Sequence, residues 1–99
     1  MRTVTHGDVV AAACAAMATS EHDRRAFVLR LLERAHVADI YRKRTGCAHP
    51  LWGDGTLMAV ARQGQAAFSK PFLSDSEYLE TIATVIDALL FWRQRTHAA

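Results

Sequence analysis

The stretch TGCAHPLWGDGTLMAVA, residues 45–61, sets Gly46, Gly53 and Gly55 into one connection, with His49, Pro50 and Trp52 between them. On both sides the apolar residues recur at helical spacing, and no strand-like alternating run occurs. A chain organised this way folds into helices joined by one structured loop.

The helix boundaries follow from their caps. Thr5 with Asp8 three residues later approximates a capping box, and a first helix is expected over about 6–18. Its residues are mostly Ala and Val, so a neighbour can approach closely. Ser20, with Asp23 at the third position, is expected to cap a long second helix over about 21–44. Phe27, Val28, Leu31, Leu32, Ala35 and Ala38 form its apolar stripe, and Val37, Ile40 and Tyr41 add a patch near its end. Arg42, Lys43 and Arg44 sit in the last turn, where cations favour the negative end of the helix dipole. Gly46 fits the left-handed position that closes a helix.

Asp54 or Thr56 is expected to cap a short third helix carrying Leu57, Met58, Val60 and Ala61 and stopping near Gly64. The segment QAAFSKPFL then connects, with Phe68, Pro71 and Phe72. Ser74 and Glu77 form a full capping box for a last helix over about 75–96. Leu79, Ile82, Ala83, Ile86, Leu89 and Leu90 are read as its core stripe. Tyr78, Val85 and Trp92 lie seven residues apart on a neighbouring stripe, read as a subunit interface with plain core as the competing reading. The expected fold is therefore all-α. It is a single domain over 1–99, a small bundle of two long and two shorter helices with a Trp-containing loop between helices 2 and 3.

Composition limits what such a domain can do. Ninety-nine residues, 51% of them hydrophobic, build one core and leave apolar surface to spare. Cys14 and Cys47 are far apart and lack C-x-x-C spacing, which reads as reduced thiols in a cytoplasmic protein. The Ala-rich run at 9–18 follows Asp8 and reads as a buried helix face rather than a signal peptide. No run approaches the roughly 20 apolar residues of a membrane span.

The net charge is +2, but residues 21–45 hold seven basic and four acidic side chains, a local net of +3. Arg24, Arg25, Arg30, Arg34, Arg42, Lys43 and Arg44 are the candidate contacts for nucleic-acid phosphates. Such contacts give sequence-independent affinity that falls with salt. The competing reading is a solvated helix face. A helix-turn-helix is not found, because the second helix is too long.

Three other groupings are weaker. Glu33 and His36 form one Glu-x-x-His step, whereas a di-iron bundle needs two and further Glu residues. Cys47, His49 and Asp54 offer thiol-hydrolase residue types, but Cys47 follows a helix C-terminus, whose dipole disfavours a thiolate. GDGT, residues 53–56, lacks the Lys of a phosphate loop and the oxygens of a calcium loop. No catalytic residue, metal or cofactor is assigned. The loop residues Gly46, Pro50, Trp52, Gly53, Asp54 and Gly55 are read as structural, with Trp52 turned inward over the end of the bundle.

The segments HGDVVAAA, AHVADIYRKRTG, HPLWGDGTLMAVA and PFLSDSEYLETI, with their TG-x-x-HP-x-WGDG-[ST]-LM core, resemble a family of short alphaproteobacterial proteins. That family is linked to gene transfer agents, phage-like particles that package host DNA, and to their small terminase. The resemblance implies a homo-oligomer of helical hairpins with weak, unspecific DNA affinity and a large terminase as partner. The reading adopted is a non-enzymatic oligomeric assembly factor. The rivals are a cytosolic adaptor that binds another protein, and a small enzyme or metal protein using loop 49–54.

Overall fold

The computed structural model describes residues 2–63 and 72–97. Among these residues four α-helices form a small all-α bundle: α1 (His6–Ala16), α2 (Arg24–Thr45), α3 (Leu57–Ala61) and α4 (Ser76–His97). A single 3-10 turn, Glu21–Asp23, precedes α2, and no strand occurs among the described residues. The connection containing Gly64, Phe68 and Pro71 lies outside the described residues.

The capping signals act as their chemistry requires, with two shifts. Thr5 Oγ1 accepts the Asp8 N–H, and the Thr5 N–H donates to Asp8 Oδ2 at 2.8 Å, a complete reciprocal box. Asp8 Oδ1 also accepts the Met58 N–H at 2.9 Å. One buried carboxylate thus serves the first turns of both α1 and α3. Thr56, not Asp54, caps α3, while Asp54 accepts from the Thr56 N–H and hydroxyl.

The first shift is at α2. Ser20 Oγ donates to Asp23 Oδ2 at 2.7 Å instead of accepting a backbone N–H, so a 3-10 turn forms and α2 starts at Arg24. The second is at α4. Asp75 Oδ1 accepts the N–H groups of Glu77 and Tyr78, replacing the expected Ser74 cap with a charged acceptor one residue later.

Helix α1 lies deepest. Ala11, Ala12, Ala13, Ala15 and Ala16 are all buried, and their small side chains let α2, α3 and α4 close around them. Val28, Leu31, Leu32 and Ala35 from α2 meet Leu57, Val60 and Ala61 from α3 and Tyr78, Val85 and Ala88 from α4.

Helix α4 is rotated from the sequence expectation. Tyr78 and Val85 are 2% and 0% exposed, and Trp92 packs against the core. Leu79, Ile86 and Leu90 are 47%, 47% and 55% exposed, and Ala83 is exposed too. The stripe read as an interface is the core, and most of the stripe read as core faces outward. Ile82 and Leu89 lie between, half-buried.

Arg24 supplies the physical reason. It is buried, and its Nε donates to the carbonyls of Ala16 and Thr19 at the end of α1. Its Nη1 and Nη2 reach Thr81 Oγ1 and Glu77 Oε1 on α4, at 3.4 and 2.6 Å. That bridge fixes the rotation of α4, turning the Tyr78–Thr81–Val85–Ala88 seam inward.

Candidate functional site

The loop after α2 is built from its own residues. Gly46 closes α2 at φ +75°, donating its N–H to Arg42 O at 2.8 Å. His49 and Gly53 then exchange both backbone hydrogen bonds, at 2.7 and 3.1 Å, making a tight hairpin around Pro50 and Leu51. His49 Nδ1 accepts the N–H groups of Leu51 and Trp52, and its ring stacks on Trp52 with centroids 4.9 Å apart. Trp52 is half-buried and packs against the core, with the Arg34 guanidinium over its ring. The His49 ring is therefore engaged in holding the loop. Cys47 is exposed just beyond the helix C-terminus.

The WGDG turn continues onto α2. Gly55 has φ +95°, and its α-carbon lies so close to α2 that an added Cβ would sit 2.8 Å from both Cα and Cβ of Asp39. Asp39 is 1% exposed and receives Arg42 Nη2 at 2.8 Å and Lys43 Nζ at 3.1 Å. Burial alone would raise its pKa, but the hydrogen bonds from Arg42 and Lys43 overcome this and hold the carboxyl well below the usual carboxylate range. Asp54 is lowered as well, chiefly by the Thr56 hydroxyl and N–H.

The sign of the pH effect follows from the Asp39 shift. A carboxylate whose folded pKa lies below its unfolded value of about 3.9 adds stability above that pH. The contribution is lost as pH falls from about 4 through the folded value. Urea midpoints measured from pH 6 to pH 2 should fall steeply in the acid limb. In Asp39→Asn the midpoint should start lower at pH 6 and fall less. A variant as stable as wild type at pH 6 would contradict this role for Asp39.

The basic set does not form one surface. Arg24 is buried in the bridge to α4, which corrects its assignment as a phosphate contact. Arg42 and Lys43 turn to Asp39. Arg25 pairs with Asp87 at 3.0 Å and lies over Phe91. Arg30, Arg34 and Arg44 stand exposed. Arg30 and Arg34 share one face of α2, with Arg30 lying over Phe27.

Two apolar features carry more area. The first is the outward face of α4, with Leu79, Ala83, Ile86 and Leu90. The second is a groove of about 720 Å³ beside the C-terminal half of that face. Its apolar wall is Val9, Ile86, Leu89, Leu90 and Trp92, with the half-buried His36 edge-on to Trp92 at 5.9 Å. Burial pushes the His36 imidazole below its ordinary pKa. Arg2, His6 and Arg93 also line the groove, and among the described residues no carboxylate does.

Sequence reasoning missed Asp8 as a shared cap, Asp39 as a buried anion and the outward face of α4. The sequence pairs Asp8 only with Thr5, and Asp39 reads as an ordinary surface acid within a helix. For the third, a signal was present: residues 79, 83, 86 and 90 keep the 4-3-4 spacing of a helix-pairing seam.

Among the described residues no three His, Cys, Asp or Glu side chains gather as a metal set. No helix among them is long and apolar enough to cross a membrane. No curated protein and no solved structure matches the chain. The family described as Domain of unknown function (DUF7742) matches residues 2–89. With a match over most of its length, the chain belongs to the DUF7742 family.

Proposed function

We propose that this protein is a non-enzymatic helical assembly factor that works as an oligomer. The observation that carries this reading is the outward face of α4. Leu79, Ile86 and Leu90 are about half exposed, on the side of the helix away from the core seam. A contiguous apolar face of this kind on a small domain marks a protein-binding surface. The resemblance of the TG-x-x-HP-x-WGDG-[ST]-LM core points to a role like that of a small terminase in a gene transfer agent, with a large terminase as partner.

Any DNA contact in this reading is weak and unspecific and falls to Arg30, Arg34 and Arg44, exposed on α2. A binding titration with duplex fragments of unrelated sequence tests it. With two or three phosphates contacted, log affinity should fall against log salt with a slope of about −2 to −3. Arg30→Glu with Arg34→Glu should remove most of that slope. No binding at low salt, or no change in the double variant, would remove DNA from the proposal and leave protein assembly.

A further inference from the structure

We propose that α4 pairs with α4 of a second copy, antiparallel, through Leu79, Ala83, Ile86 and Leu90. The proposal rests on the self-association reading and adds the partner, the surface and the orientation.

Spacing and size choose the orientation. The intervals 79–83, 83–86 and 86–90 are four, three and four residues, which read the same in both directions. Antiparallel pairing therefore keeps all four layers in register. It sets Ala83 across from the partner's Ile86, and Ile86 across from the partner's Ala83, so a small side chain meets a large one in both central layers. Parallel pairing in register would set Ala83 against the partner's Ala83, leaving a void, and crowd the two Ile86 side chains together. Cores favour the alternation of large and small.

Charge points the same way. Asp75 and Glu80 stand at the start of α4 and Arg93 stands near its end, whereas Glu77 is turned inward to Arg24. Antiparallel helices bring each acidic end beside the other copy's basic end and oppose the helix dipoles. Parallel helices would bring like charges together.

The groove gives the pairing depth. Leu90 lines it, and the antiparallel register places the partner's Leu79 against Leu90. The partner's Glu80 then lies beside a rim that carries Arg93 and Arg2, the latter 3.5 Å from Asp54. Such a contact is isologous, so it closes at two copies. Anything larger than a dimer requires a second surface.

Cysteine pairing tests the orientation. In a background of Cys14→Ala and Cys47→Ser, Leu79→Cys and Leu90→Cys are made separately, one with a mass tag. Both positions are exposed in the monomer, so helix content should be retained, and circular dichroism checks this. After mixing and mild oxidation, the 79–90 linked heterodimer should exceed either self-linked species by at least tenfold. Self-linked Leu79→Cys in excess would overturn the antiparallel arrangement. No cross-link, with wild type still oligomeric by light scattering, would overturn α4 pairing while self-association stood. A wild type that is monomeric throughout would overturn both.

Discussion

Replacing Gly55 by Ala is expected to destabilise the fold by about 4 kcal/mol, a large share of the roughly 5–15 kcal/mol that holds a domain together. Two effects add. At φ +95° an L side chain is strained, at a cost of about 1–3 kcal/mol. The new methyl would also meet Cα and Cβ of Asp39 at 2.8 Å, and relieving such overpacking costs about 1–3 kcal/mol. The atoms met belong to the α2 backbone and a buried carboxylate, so the clash has no flexible side-chain end to displace. Gly46→Ala is the internal control. Its φ is +75°, but an added Cβ has nothing within 4 Å, so only the left-handed penalty of about 1–2 kcal/mol applies. Urea denaturation of the two variants reads the difference. Equal losses would mean that the WGDG turn does not rest on α2.

Asp8→Ala is expected to cost about 3 kcal/mol, more than an ordinary cap. Losing the carboxylate removes the reciprocal box with Thr5, worth about 1 kcal/mol. It also strands the Met58 N–H at the start of α3, and an unsatisfied buried donor costs about 1–3 kcal/mol. For a domain of this size that lowers Tm on the order of 15 °C. Asp8→Asn retains one acceptor oxygen and should lose less. A loss near 1 kcal/mol in Asp8→Ala would show that α3 does not depend on this carboxylate.

The helices themselves were legible because their signals are local. Thr5 with Asp8 and Gly46 act where the sequence places them, since a cap needs only its own first or last turn. Ser74 yielded to Asp75 because two adjacent oxygens compete for the same N–H groups and the carboxylate prevails. The rotation of α4 was not legible. Residues 78, 81, 85 and 88 and residues 79, 83, 86 and 90 both carry helix-pairing spacing, and the sequence alone does not say which of them faces inward. The choice is made by Arg24, whose reach from the end of α1 to Thr81 and Glu77 spans more than fifty residues of sequence. Arg24 and Asp39 read as solvated charges for the same reason, because their burial depends on what packs over them. In the loop, Trp52 turns toward the core as expected, but only half-buried. The structural role of His49, through Nδ1, depends on a hairpin that a sequence does not display.

The role assigned to α4 rests on one comparison of mass in solution. Light scattering at micromolar concentration should give wild type at about 22 kDa or a larger multiple of the 11.0 kDa chain. Ile86→Glu with Leu90→Glu should give 11.0 kDa with the helix signal kept, because both side chains face outward. Wild type found only at 11.0 kDa, or the double variant associating as wild type does, would contradict the assignment of this face to assembly.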